Sequence, residues 1–195
     1  MFRDIKRRNS QLLRPNIIII GDGLTEFYYF KHLKKLKHRR LSITLDKSYF
    51  DKSQNIYKRI RKIKSGIFSV IIAVFDIEND ENKIKLFEEK LKSFKKVDVI
   101  KLYSNPSIEY WFLLHYEDTN RHFNAYELKS YIRKYINEYS TSENFLKNEK
   151  WVINLLNNLN HAIERAKKYQ NKNQSYTNIY EGIEKLEEVI KLIKY

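Results

Sequence analysis

Apolar positions along the chain follow two regimes. Up to about residue 105, short apolar runs alternate with stretches of helical period. Beyond it the helical period continues alone. Ile17-Ile18-Ile19-Ile20, closed by Gly21, is an unbroken β-branched run, the pattern of a central parallel strand covered on both faces. Val70–Phe75 repeats it, residues 97–103 give a further strand, and Leu41, Ile43 and Leu45 suggest a weaker one over 41–46. Between these runs three helices are predicted. Residues 25–38 carry Phe27, Phe30, Leu33 and Leu36 as a stripe, with Thr25 as N-cap. Residues 52–64 place Ile56, Ile60 and Ile63 on one face, stop at Gly66, and turn many Lys and Arg to the other face. Residues 81–94 turn Ile84, Leu86, Phe87, Leu91 and Phe94 inward. Such alternation predicts an α/β fold, a sheet of about four mainly parallel strands flanked by helices.

The later half predicts helices over 106–117, 125–139, 143–169 and 177–194, with Pro106 in the first turn of the first. Residues 170–175 read as a polar loop, and no strand is expected in this half. The organisation that follows is a basic arm over 1–15, an α/β core over 16–120 and a helical extension over 121–195 packed on that core.

Acidic residues follow both strong strands. Asp22 and Glu26 lie in the turn Asp22-Gly23-Leu24-Thr25-Glu26, and Asp76-Ile77-Glu78-Asn79-Asp80 follows the second run. Open parallel sheets bind ligands beyond the carboxyl ends of their strands, which is where both clusters fall. Mg²⁺ or Mn²⁺ takes hard oxygen ligands, commonly one or two carboxylates with waters and substrate phosphate. Asp76, Glu78 and Asp80 alternate, so an extended or turning backbone can aim two of them at one point, with Asp22 or Glu26 completing the site. An ion held there would polarise a phosphoryl oxygen and acidify an attacking water. The competing reading is that these acids are ordinary turn and cap residues. Gly21-Asp22-Gly23 lacks the Lys and Ser/Thr of a P-loop and the third glycine of a dinucleotide fingerprint.

The net charge of +14 over 195 residues favours a polyanionic partner, nucleic acid above all. The same Lys-, Asn- and Ile-rich composition is also what an AT-rich genome produces. Fifteen Tyr, eleven Phe and two Trp argue for a packed core over disorder. The absence of cysteine excludes disulfides and thiolate metal sites and fits a cytoplasmic protein. The basic N-terminal stretch has no signal-peptide apolar region, and no apolar run is long enough to span a membrane.

Two further segments carry candidate chemistry. In Ser104–Tyr116, Asn105 can cap a helix, Glu109 lies one turn in and His115 two turns in, and Ile108, Trp111, Phe112 and His115 share a face. A core helix with a hydrogen-bonded histidine explains the same spacing. Over 126–139, Tyr126, Lys129, Tyr131, Arg133, Lys134, Tyr135 and Tyr139 interleave aromatic and basic groups, as base-stacking surfaces do. Half-buried tyrosines beside a solvated charged face give the same pattern.

Three of these segments resemble the RloB-like (AbiLii-like) family, a branch of the Toprim nuclease group. Ile17–Phe30 resembles the family's opening, an apolar strand, an acid-Gly-x-Thr-Glu turn and a Tyr-Phe pair on a helix. Val74–Asp80 resembles its acidic motif. Ser104–Tyr116 resembles its most specific signature, a Ser-Asn-Pro…Glu…Trp…Leu-Leu-His helix, and Ala166-Lys167 and Tyr176–Tyr180 are similar to later elements. The resemblance implies a Toprim-like sheet, a Mg²⁺-dependent phosphodiester-cleaving centre, and bacterial defence against phage, often alongside an ABC-type ATPase partner. It implies Asp22 as general acid/base in place of the family's glutamate and Glu26 as second acid. It implies Asp76 and Glu78 for the Asp-x-Asp pair, Asp80 as an assisting ligand, and Asn105, Glu109 and His115 as support or substrate contacts. Asp22 is shorter, and Glu78 longer, than the family's residue by one methylene.

Two functions follow. One is a metal-dependent nuclease acting on DNA or RNA, tRNA included, regulated by an ATPase partner. The other is a non-catalytic nucleic-acid-binding or adaptor subunit of a defence complex, whose acids only cap turns.

Overall fold

The computed structural model describes residues 15–51, 56–63, 67–91 and 98–193. The expected basic arm up to residue 14, the stop at Gly66, and the expected positions Phe94 and Val97 lie outside the described residues.

Five strands form one sheet: β1 (Ile17–Gly21), β2 (Ile43–Thr44), β3 (Val70–Asp76), β4 (Asp98–Asn105) and β5 (Tyr176–Thr177). Their spatial order is β2-β1-β3-β4-β5. The first four run parallel, with Ile17 beside Ile43 and Val70, and Val70 beside Asp98. β5 joins the edge antiparallel, Ser104 opposite Thr177 and Asn105 opposite Tyr176.

The unbroken apolar runs are explained by two-sided burial. All of β1 and all of β3 except Asp76 are buried. Side chains alternate between faces along a strand, so the runs divide between two cores. Ile17, Ile19, Ile72 and Val74 join one cluster, while Ile18, Ile20, Ile71 and Ala73 join the other. The second is covered by α2 (Ile56–Lys62) and α3 (Asn82–Leu91), through Ile56, Ile60, Ile84 and Phe87. The first is covered by α1 (Leu24–Leu36) and α4 (Glu109–Leu113). It continues without a break into α5 (Ala125–Tyr131), α6 (Glu143–Lys147), α7 (Lys150–Leu156), α8 (Leu159–Lys168) and α9 (Ile179–Ile193). Leu128, Leu146, Val152, Ala162 and Ile183 of these helices pack in the same cluster as Ile17. Gly182 allows α9 to lie directly on β4, since a Cβ there would strike the Leu102 side chain.

Several expectations are corrected. Gly23, not Thr25, is the N-cap of α1, and it supplies no side-chain bond. Leu36 and Leu86 are exposed, at 36% and 46%. The weak strand at 41–46 shrinks to the two residues of β2. Asn105 ends β4 instead of capping a helix, and α4 starts only at Glu109. The predicted helix 143–169 is three helices, broken at Asn148 and around Asn157 and Asn158, residues that favour caps over helix interiors. The later half also contains a strand. β5 is too short to show a period, and it is specified by side chains instead. Ser104 Oγ and Thr177 Oγ1 are 2.7 Å apart. Asn178 accepts the Tyr103 N–H at 2.6 Å and donates to Lys101 O at 2.8 Å. Among the described residues no helix is long and apolar enough to cross a membrane.

Three histidines are buried, and two of them, His38 and His115, each keep at least one ring nitrogen without a partner. His38 is fully buried and neither ring nitrogen has a hydrogen-bond partner. His115 donates from Nδ1 to Trp111 O (2.9 Å) and packs edge-on against the Trp111 ring, while its buried Nε2 has no partner. Burial pushes both imidazoles down to about 4. The unfolded chain, with ordinary histidines near 6.5, therefore takes up protons that the folded chain refuses. This contribution to stability is complete above pH 6.5 and is lost as the pH falls toward 4, by up to about 1.4 kcal/mol per pH unit for each histidine. Urea denaturation across that window should show the slope, and His38→Leu or His115→Leu should flatten it. A slope unchanged in both variants would contradict the assignment.

Candidate functional site

The chain order reverses between β1 and β3: β2 lies on one side of β1 and the next strand, β3, on the other. At such a switch point the loops leaving adjacent strands part and open a crevice. A cavity of about 650 Å³ lies there. Gly23, Thr25 and Glu26 line it from the turn after β1, Asp76 from the end of β3, and Ile108 and Glu109 from the segment after β4. Lys47 and Phe50, in the single-turn 3-10 helix Lys47–Phe50, and Lys129 of α5 close other sides. Gly21 is needed here because a Cβ would meet the Phe50 ring at 2.7 Å.

Beside the exposed Asp51, three carboxylates that are more enclosed line the cavity. Glu26, 2% exposed, sits in the first turn of α1, where the helix dipole favours an anion. Asp76 accepts the Ile108 N–H at 2.9 Å, which ties the end of β3 to the segment after β4. Glu109, also 2% exposed, accepts from Ser107 Oγ at 2.6 Å and from the Tyr139 hydroxyl at 3.0 Å. Tyr139 senses all three. Burial raises its phenol well above the ordinary value, and the charges of Glu109, Glu26 and Asp76 add to the rise. It therefore stays a protonated hydrogen-bond donor.

The other expected site residues are placed elsewhere. Asp22 is one-third exposed and ion-paired at 2.9 Å to Arg59, whose side chain is 2% exposed. The same guanidinium donates to Gly21 O and to Tyr49 O. Glu78 and Asn79 adopt left-handed φ of 55° and 61°. This breaks the alternation that would have aimed Glu78 along the same face as Asp76. Glu78 is instead 60% exposed and pairs with Lys83. Asp80 is exposed and accepts the Asn82 N–H at 3.1 Å, a helix-start role. Asn105 accepts the Asn79 N–H at 2.8 Å and so fixes the acidic turn to β4. His115 is packed in the core, as described above.

Tyr139, Lys129 and Arg59 were not singled out for these roles by the sequence. Tyr139 gives no local signal, being thirty residues from Glu109. Arg59 does give one. It lies three residues after Ile56 and four before Ile63, inside an apolar stripe, where a cation needs a buried anion.

The donor chemistry suits a hard divalent ion. Glu26, Asp76 and Glu109 are all oxygen donors, and Mg²⁺ commonly takes only one or two protein carboxylates. Among the described residues no group of three or more His, Cys, Asp and Glu is arranged to enclose a metal. Glu26 and Asp76 could contribute oxygen donors to such an ion only in an open site completed by water, not in a protein cage.

The fold and cavity define a class: an α/β domain with a mostly parallel sheet, a helical C-terminal half and an acidic cavity at its topological switch point. The model of the RloB-like protein family matches residues 17–186, from the first residue of β1 into α9, and the chain belongs to this family. No curated protein and no solved structure matches the chain.

The Arg59–Asp22 pair makes a stability prediction. Arg59→Ala removes a buried cation that holds two carbonyls and a carboxylate, and should cost about 3–5 kcal/mol in urea unfolding. Asp22→Asn keeps a carbonyl acceptor on a partly exposed group and should cost about 1–2 kcal/mol. Equal, negligible losses would show that the clamp does not stabilise the fold.

Proposed function

We propose that the chain is a Mg²⁺-dependent phosphodiesterase of the Toprim-related type, acting on nucleic acid in bacterial defence against phage. The observation that carries this reading is the convergence of Glu26, Asp76 and Glu109 on one cavity at the strand-end switch point. The net charge of +14 supports a polyanionic substrate. Control by an ABC-type ATPase partner, and a cytoplasmic location, belong to the same proposal and rest on the family resemblance.

Glu26 and Asp76 are assigned as the ligands of the ion, which when bound would stabilise charge on a phosphoryl oxygen and acidify a water. Glu109 is a positioning residue. Its two oxygens hold Ser107 and Tyr139, and the Ser107 bond fixes the turn whose Ile108 N–H orients Asp76. Lys47 and Lys129 supply positive charge at the cavity wall, where a substrate phosphate would lie. Asp22 is assigned a structural part, closing the strand end through Arg59.

A second reading has a specific observation in its favour. Asp22, Glu78 and Asp80 each serve an ion pair or a cap, as a non-catalytic binding or adaptor subunit would use them. Nuclease assays with Mg²⁺ or Mn²⁺ on DNA, RNA and tRNA separate the two. Asp76→Asn and Glu26→Gln should each lower cleavage by at least about a hundredfold, on the scale of removing one transition-state contact. Glu78→Gln should change it by less than about threefold, since an exposed pair contributes little. Cleavage that survives Asp76→Asn in clean protein refutes the catalytic assignment. Calorimetry that detects no Mg²⁺ binding, with no cleavage, favours the adaptor.

A further inference from the structure

A second cavity, of about 350 Å³, lies on the other side of α5 from the acidic one. Its walls are aromatic and basic: Phe123, Tyr126 and Tyr131 with Arg121 and Lys134. The cations already lie over the rings. The Arg121 guanidinium is 4.9 Å from the Phe123 centroid and 5.9 Å from that of Tyr131, and Lys134 Nζ is 3.9 Å from Tyr131. Tyr131 is held by its hydroxyl, which donates to Glu117 at 2.9 Å. The one acid at the rim, Glu127, is engaged in the capping box with Asn124 at the start of α5.

Tyr126 is the unusual member. It is 82% exposed, the largest exposure of any big apolar side chain described. Nothing in the fold accounts for a tyrosine ring presented to water beside two cations. Its place on α5 connects the two cavities. Lys129, three residues on, lines the acidic cavity, while Tyr126 and Ser130 line the aromatic one. On a helix these positions are neighbours within about one 5.4 Å turn. A chain lying across α5 can thus touch Tyr126 and then reach Lys129 and the carboxylates.

We propose that the aromatic cavity is a stacking subsite for an unpaired nucleobase, and that the strand runs from it over Lys129 into the acidic cavity. The substrate of that centre is then single-stranded. The extension to a substrate rests on the phosphodiesterase reading above, whereas the stacking itself does not. The recognition chemistry fits this occupant. An aromatic face stacks any base, Arg121 and Lys134 meet the flanking phosphates, and a base inside a duplex has no free face to offer. The contacts are to base and phosphate alone, so deoxy and ribo strands are bound alike.

Binding is tested in Mg²⁺-free buffer, with a short oligothymidine carrying one 2-aminopurine, in deoxy and ribo forms and as a duplex. The wild type should bind the single strands and quench the 2-aminopurine. Tyr126→Ala should weaken single-strand binding roughly 5- to 150-fold, the span of one stacked base, equally for both sugars and without effect on the duplex. Tyr126→Phe should retain binding. Arg121→Ala or Lys134→Ala should each reduce the salt slope on the single strand by about 0.7. Tyr126 is exposed, so its removal does not threaten the fold. Unchanged single-strand affinity in Tyr126→Ala, an equal loss on the duplex, or no binding by the wild type overturns the subsite. The two readings fail separately. Tyr126-dependent quenching with neither Mg²⁺ binding nor cleavage sinks the nuclease assignment and leaves the subsite. Asp76-dependent cleavage with Tyr126-independent binding does the reverse.

Discussion

A buried guanidinium sets the shape of the cavity mouth. Arg59 comes from the helix on one face of the sheet and reaches the end of β1, where it meets Gly21 O, Tyr49 O and the Asp22 carboxylate. A cation this deep in a protein is costly unless its charge and hydrogen bonds are met; here two carbonyls and a carboxylate serve the terminal nitrogens, while the buried Nε has no partner. Each partner is therefore constrained. The strand must end at Gly21, the Lys47–Phe50 segment must close over it, and Asp22 must face Arg59 instead of the cavity. Phe50 then packs against the site where a Gly21 side chain would be, and α1 begins at once with Glu26 directed inward.

The same constraint divides the acids by role. Carboxylates gathered at one point repel, and each must be held by a donor, a cation or a bound ion. Asp22, Glu78 and Asp80 are each held by a cation or a backbone N–H. Glu109 is held by two hydroxyls and Asp76 by the Ile108 N–H. The turn after β3 contributes by its backbone as much as by its charge. Ile77 and Glu78 donate to Ser104 O and Pro106 O, and Asn79 to the Asn105 side chain. Those bonds lock the left-handed pair Glu78–Asn79, leaving Asp76 as the acid of this turn that lines the cavity.

The sheet was legible in the sequence because its central strands are buried on both faces, and unbroken runs such as Ile17–Ile20 admit few other readings. The position of the cavity was legible for the same reason, since parallel strands leave a crevice beyond their carboxyl ends. Which acids would face the cavity was not. Alternation of Asp76, Glu78 and Asp80 predicts geometry only while the backbone stays extended, and a two-residue left-handed turn cancels it without any glycine to announce it. The break of 143–169 into three helices and the strand Tyr176–Thr177 were hidden as well. The strand is fixed by partners far along the chain, Ser104 and Lys101 among them, and the helix breaks fall at Asn148, Asn157 and Asn158, single residues that leave the apolar period almost unchanged.

The basic charge and the acidic centre are reconciled by where each sits. Among the described residues the lysines and arginines are mostly exposed, while Glu26 and Glu109 are buried at the cavity. A polyanion would be repelled by buried carboxylates unless cations at the rim offset them, and Lys47 and Lys129 occupy that rim. Lys47 is already paired with Glu143 at 2.9 Å, so its charge is partly spent inside the fold. Lys129 thus becomes the hinge of the electrostatics: it lies on α5, between the carboxylates and the exposed ring of Tyr126. A ligand drawn by the field of the whole surface would meet a stacking face on one side of that helix and an acidic cavity on the other.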